Sequence, residues 1–284
     1  MRETKRLRTC TRRHKPRVEE CLILAAGNGR RLTSLSGGLP KPLVRIHGQP
    51  LLEHVMLGAH EAGINRFVIV VGYGADTMRD WFVHHSFEGI SVTLVENSEY
   101  HKDNGVSVLK ARDYLNGAFL LLMADHIFEA DTARALLNQR LRRGEVILAV
   151  DSKLDNIFDL EDVTKLRREG DHIVTIGKEI PEYDAYDTGM FLCSPELFGV
   201  LESAKKKREL FIIRRHADTW AETQAPRVRY RRCFLAGCRY SGGMDLRGKH
   251  FRPPVLPAGN PRGIYSCLSV WRYVLSPRFS ESHC

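Results

Sequence analysis

From Glu20 onward, short apolar runs of strand length alternate with stretches of helical periodicity, and this rhythm constrains the chain more than any other feature. It predicts βα units on a mainly parallel sheet, an α/β domain. The strand candidates are "CLIL" at 21–24, "RFVIVV" at 66–71, "ISVTLV" at 90–95, "AFLLLM" at 118–123 and "EVILAV" at 145–150. Between the first two, "PLLEHVMLGAHEAG" at 50–63 sets Leu51, Leu52, Val55, Met56, Ala59 and Ala62 on one helical face, with proline at its start and glycine at its end. A helix with apolar positions Val106, Leu109 and Tyr114 is predicted before the run at 118–123, and another over 132–143. After Asp151 the rhythm changes: "DVTKLRREGDHIVTIGK" reads as a hairpin, followed by the strand "YDTGMFLCS" and a helix to about Lys206. Residues 20–207 therefore form one doubly wound domain with a hairpin insertion, and 284 residues at 43% hydrophobic content suffice for its core.

The formal charge of +9 would suggest a polyanionic partner, but it is unevenly placed. Residues 1–17 carry eight Lys and Arg against one acid, 18–203 carry 18 against 28, and 204–284 carry 17 against five. The body is acidic, so nucleic acid is not an expected partner. Few aromatic side chains interleave with the arginines of the ends, as a single-strand-binding surface would require; Tyr230, Tyr240 and Phe251 are the candidates. The apolar run at 118–124 is too short to span a bilayer, and the basic extension 1–19 has no apolar stretch behind it, so a cytoplasmic protein without a membrane segment is expected. Seven irregularly spaced cysteines predict reduced thiols rather than a disulfide framework.

Chemistry concentrates in residues 22–55, "LILAAGNGRRLTSLSGGLPKPLVRIHGQPLLEHV". A strand ends at Leu24, and Ala25, Ala26, Gly27 and Gly29 leave backbone N–H groups open to a phosphate or a nucleobase edge, with Arg30, Arg31 and Lys41 close by. Glycine-rich turns after strands also serve plain chain reversal, and neither G-x-G-x-x-G nor a terminal G-K-[ST] is present.

Taken together, "LAAGNGRRL" and "KPL" resemble the N-terminal signature of the sugar-phosphate nucleotidyltransferases. "NGVSVLKAR" at 104–112, "FLLLMADHIF" at 119–128 and "IGKEIPEYDAYDTGMFLCSPELF" at 176–198 are similar to the cytidylyltransferase domain of inositol-1-phosphate cytidylyltransferases, a domain often fused to a membrane-embedded synthase. The resemblance covers about residues 20–207 and implies a three-layer αβα, Rossmann-like nucleotide-diphospho-sugar transferase fold. It implies transfer of a nucleotidyl group, CMP from CTP, to a sugar or polyol phosphate, with inositol 1-phosphate foremost and pyrophosphate released. Phosphocholine and hexose 1-phosphates stand as alternative acceptors, and a catalytically dead nucleotide-binding module as an alternative role.

By the same resemblance, Leu24, Ala25, Ala26, Gly27, Asn28 and Gly29 line the nucleotide, and Arg31 and Lys41 hold its phosphates. Asn104, Gly105 and Ser107 lie against base or ribose. Asp125, where a buried strand runs out, ligates Mg2+ and completes the catalytic set with Arg31 and Lys41. Lys178 meets the acceptor phosphate, or is a surface lysine at a hairpin end; Asp187 or Thr188 meets the acceptor's hydroxyls. Arg30 reads as solvated and His126 as structural, and "DTG" at 187–189 matches the aspartic protease triplet only superficially.

The family pattern continues with a Ser-Leu-Ser-Asp-Gly helix start and a Trp-x-Asp-x-Asp-Thr-Pro segment that supplies a second metal ligand. Neither stands in residues 208–284. Codons for "RELFIIRR" at 208–215, read one base later, can spell Gly-Asn-Tyr-Ser-Leu-Ser-Asp-Gly, and those for "RCFLAGCRYSGGMD" at 232–245 can spell Ala-Val-Phe-Trp-Gln-Asp-Val-Asp-Thr-Pro-Glu-Ala-Trp. The expectation is a one-base insertion near the codons of Lys205, Lys206 and Lys207. Residues 208–284 would then be an out-of-frame, unstructured tail, the C-terminal elements of the fold would be missing, and turnover would be weak or absent.

Overall fold

In the computed structural model of the chain, residues 17–28, 38–152, 154, 163–206 and 227–231 are described. β1 (Glu20–Ala25) is buried along its whole length because it is flanked on both sides, by β4 (Arg66–Val71) and by β6 (Phe119–Met123), all parallel. A strand covered on both faces needs the unbroken apolar run that the sequence shows there. Its alternate residues divide between two cores: Cys21, Ile23 and Ala25 face α1 (Leu51–Glu61), α2 (Ala75–His84) and α4 (Ala130–Leu137), whereas Leu22 and Leu24 face α3 (Asn104–Lys110) and α5 (Glu196–Lys206). This is the three-layer αβα arrangement.

Among the described residues, the nine strands of the main sheet run in the order β5 (Ser91–Glu96), β4, β1, β6, β10 (Ala185–Cys193), β7 (Glu145–Asp151), β11 (Arg227–Arg231), β9 (His172–Gly177) and β8 (Lys165–Glu169). β5, β4, β1 and β6 are parallel; β10 then runs antiparallel to both β6 and β7, so the sheet is mixed, and its parallel half is the one expected. β8 and β9 form the expected hairpin. β2 (Arg45–Ile46) and β3 (Gln49–Pro50) make a separate small ribbon just ahead of α1.

Three local expectations change. The helix over 132–143 ends at Leu137, because Glu145 accepts the Arg142 N–H at 2.7 Å and turns the chain toward β7. Tyr114 is not on a helical apolar face: α3 stops at Lys110, and Tyr114 stands exposed in a 3-10 turn. α2 has no counterpart among the expected helices; of its residues only Ala75 and Met78 are buried, too few to make a strong periodic signal.

Of residues 208–284, five are described: β11 (Arg227–Arg231) pairs parallel with β7 and touches β9 at the register Arg229↔His172. β7 is buried along its whole length, and a strand on its open side satisfies its ladder groups. The rest of 208–284 and residues 1–16 lie outside the described residues. Among the described residues no helix is long and apolar enough to cross a membrane.

Candidate active site

The sheet changes direction of winding at β1, with β4 and β5 added on one side and β6 on the other. Ligands of open α/β sheets bind beyond the carboxyl ends of the strands at such a switch point. There the turn after β1 is clamped by its neighbours: Ala124 N–H donates to Leu24 O at 3.1 Å, and Tyr73 N–H donates to Ala26 O at 3.1 Å. Ala25 and Ala26 are buried, whereas Gly27 is exposed and a Cβ added to it would meet nothing within 4 Å. Among the described residues nothing stands over Gly27, and Asn28, which follows it, is half-buried. Gly29, Arg30 and Arg31 lie outside the described residues.

Lys41 enters from the "KPL" turn. Pro42 and Leu43 are buried beneath it, and Pro40 leans on Gly74, whose φ of +68° and close approach to the proline exclude a side chain. The Lys41 ammonium donates to Asp125 Oδ2, and Asp125 Oδ1 faces His126 Nδ1 at 2.7 Å. Burial pushes the Asp125 carboxyl up, but His126 and Lys41 outweigh it and hold it well below the usual carboxylate range. For His126, burial lowers the affinity for a proton, whereas Asp125 and Asp187 raise it; the net shift is upward. Asp187 is also shifted upward, by burial, against the opposing effects of the Gly189 N–H and His126. His126, read from sequence as structural, is bonded to Asp125.

The remaining expected residues divide. Asn104 is exposed at the first turn of α3, and Gly105 is buried behind it. Ser107 Oγ accepts from Asn97 Nδ2 at 2.9 Å, so its hydroxyl braces the site wall. Asn97, fully buried and unforeseen, also donates its N–H to Val71 O and accepts the Glu99 N–H through Oδ1. It ties the ends of β4 and β5 to α3, and its place immediately after a parallel strand was the signal that could have found it. Thr188 donates its hydroxyl to Ala149 O at 2.7 Å, which commits that group to β7. Asp187 Oδ1 accepts the Gly189 N–H at 2.7 Å. Lys178 is exposed one residue beyond β9; Gly177 pairs with Lys165, and the neighbouring Thr164 O accepts the Asp187 N–H, so Lys178 stands at the same end of the sheet as Asp187. Among the described residues no group of three or more His, Cys, Asp or Glu is placed to hold a metal ion. Asp125 is one ionised carboxylate already facing cationic groups, and Mg2+ commonly takes one or two carboxylates together with substrate phosphates, so this donor fits.

The sequence profile of the MobA-like NTP transferase domain matches residues 21–220, a span that contains every element of this site. The chain belongs to that family. By that match it carries an NTP transferase domain. Over 188 residues it is 37% identical to the "Bifunctional IPC transferase and DIPP synthase" of Rubrobacter xylanophilus, covering 66% of this chain and 41% of that protein. The protein of the same description from Aquifex aeolicus is 31% identical over 193 residues, covering 68% and 43%. The chain thus spans about two-fifths of the length of these curated relatives. A "2-aminoethylphosphonate cytidylyltransferase" of Lancefieldella rimae is 30% identical over 169 residues, covering 57% of this chain and 64% of that one. Among solved structures, the inositol-1-phosphate CTP transferase of T. maritima superposes with a TM-score of 0.65 at 26% identity, covering 75% of this chain and 85% of the other. A UDP-glucose pyrophosphorylase complexed with UDP-glucose shares the fold, with a TM-score of 0.63 at 20% identity over 90% and 96% of the two chains.

Proposed function

We propose that this nucleotidyltransferase transfers CMP from CTP to inositol 1-phosphate and releases pyrophosphate. The observation that carries the reading is the Lys41–Asp125 pair at the mouth of the β1 and β6 switch point, beside an open glycine turn. The similarity to the Rubrobacter xylanophilus IPC transferase and to the inositol-1-phosphate CTP transferase of T. maritima supports the choice of nucleotide and acceptor.

An acceptor phosphate oxygen forms a bond to the α-phosphorus, and the bond from that phosphorus to the bridging oxygen of pyrophosphate breaks. No covalent intermediate on the protein is required, so positioning and charge neutralisation supply the acceleration. The backbone at Gly27, which has no side chain to intervene, receives the nucleotide. Lys41 neutralises phosphate charge, and Asp125 fixes where its ammonium stands. Asp125 would also hold Mg2+, which supplies further neutralisation of the triphosphate when bound.

Pyrophosphate release, measured for CTP, UTP, dTTP and ATP against inositol 1-phosphate, glucose 1-phosphate and phosphocholine, tests the reading. The fastest release is expected with CTP and inositol 1-phosphate; a maximum with UTP and glucose 1-phosphate would replace it. The assay is run on the full chain and on a version read one base later after Lys207.

A further inference from the structure

The two ends of the main sheet differ in kind. At one end β8 carries Lys165, Arg167, Arg168 and Glu169, and it is partly closed off by pairing with β10 at Ala185 and Tyr186. Charges on an edge strand deter a further strand from adding to it. At the other end β5, "SVTLVE", has no lysine, no proline and no break in its register against β4. Its one charged residue, Glu96, stands last and is paired with Arg79 of α2. Among the described residues, no strand pairs with the outer side of β5.

Two hydrogen bonds fix which backbone groups point outward there. Ser91 N–H donates to Asn65 O and Asn97 N–H donates to Val71 O, both at 2.8 Å, so the odd-numbered residues turn toward β4. These directions alternate along a strand, so Val92, Leu94 and Glu96 present N–H and C=O to the outside. The side chains alternate too. Val92 and Leu94 are half-buried on the α2 face in the same core as Trp81, Phe82, Phe87 and Ile90, whereas Val95 belongs to the opposite core. Ser91 and Thr93 are exposed on that second face, where they line a cavity with Tyr114 and Asn116.

A two-fold axis normal to the sheet lays a second β5 antiparallel to the first with like faces matched, so each residue meets one of the same parity. Centred on Thr93, this arrangement makes Val92 and Leu94 of opposite copies into hydrogen-bonded pairs, each exchanging both of its N–H···O bonds. Val92 then lies against Leu94 on the α2 face, and Thr93 against Thr93 on the other, pairings of the kind that stabilise sheets. The ladder stops at Ile90, whose N–H already donates to Phe87 O at 3.2 Å. No like charges oppose one another, and the apolar rows on the α2 face join across the axis. Centring on Leu94 would instead set the Glu96 carboxylate opposite Val92. The edge is thus complementary to itself, which fits a second copy of this chain rather than a strand of other sequence.

We propose that β5 is a homodimer interface, at which two copies of the chain join antiparallel, Thr93 opposite Thr93, into one continuous sheet. The proposal does not depend on the identity of nucleotide or acceptor.

Sedimentation velocity of the full chain over a concentration series tests it, the expected species having twice the mass of one chain. Thr93→Lys and Thr93→Glu each set like charges opposite one another at the axis and should weaken the dimer by about tenfold or more. An equimolar mixture of the two variants should restore it, because lysine then faces glutamate. Thr93 is exposed, so both variants should keep the parent's circular dichroism. Hydrogen exchange on the unmutated chain gives a second measurement that needs no variant. The Val92 and Leu94 amides should be protected only at concentrations where the dimer forms, and the Ser91 and Asn97 amides at every concentration. A parent that stays monomeric overturns the proposal, as does a dimer that persists in both charged variants or that mixing them fails to restore. Equal exchange of the Val92 and Leu94 amides in monomer and dimer overturns it as well; their protection in the monomer would assign the edge to another segment of the same chain.

Discussion

Lys41 and Asp125, 84 positions apart in the chain, form an ion pair at the carboxyl end of the central strands. Each is buried enough that solvent does not dissolve the contact, with side-chain exposures of 26% and 30%. Lys41→Met is expected to lower kcat/KM by about 10²- to 10³-fold, the range found when a single charge-stabilising donor is removed. Asp125→Asn should cost a similar factor, and the double variant should lose less than the product of the two, because each acts through the other. Steady-state pyrophosphate release measures all three; full additivity would show that the pair does not work as a unit.

Gly189→Ala places a Cβ 3.0 Å from Met123 Cγ and against the His126 ring, in a backbone region that L residues rarely adopt. A stability loss of about 1–3 kcal/mol is expected from chemical denaturation, with His126 displaced from Asp187. Thermal midpoint and activity should fall together in this variant, unlike in Lys41→Met.

Asn97→Ala removes a donor to Ser107 and an acceptor from the Glu99 N–H in a fully buried position. Leaving those groups unpaired costs about 1–3 kcal/mol. KM for the nucleotide should rise more than kcat falls, because α3 carries Asn104 and no reacting group. A change in kcat alone would contradict this assignment.

The site should also show two opposite pH dependences. Asp125 has a lowered folded value, so its contribution to stability is present above the ordinary carboxylate range, about pH 4, and is lost as pH falls through the folded value. His126 has a raised folded value, so its contribution is complete below about pH 6.5 and is lost as pH rises through the folded value. Thermal unfolding at constant ionic strength should therefore show His126→Ala to be more damaging at pH 6 than at pH 9.

The tail carries the last prediction. We propose that residues 208–284 are read out of frame, and the full chain should then release pyrophosphate more slowly than the version read one base later after Lys207. Equal rates would sink the proposal, as would a gene sequence whose shifted frame closes directly after Lys207. β11 shows that five residues of this tail still find a strand position beside β7.

Local pattern was enough to determine the parallel core of this protein and the glycine turn that follows β1. Strand β1 is apolar throughout because it is covered on both faces, and that signature, like the glycine turn after it, is written within a few consecutive residues. Lys41 and Asp125 were legible one by one from their segments. That they meet was decided by the tertiary structure, because parallel strands bring together ends that are remote in sequence. The same holds for His126, whose neighbours are Asp125 and Gly189 on β10, and for Ser107 and Thr188, whose hydroxyls are taken up by Asn97 and Ala149. The antiparallel course of β10 and the place of β11 likewise depend on which open strand edge needed a partner, a question of hydrogen-bond satisfaction across the sheet that no single segment contains.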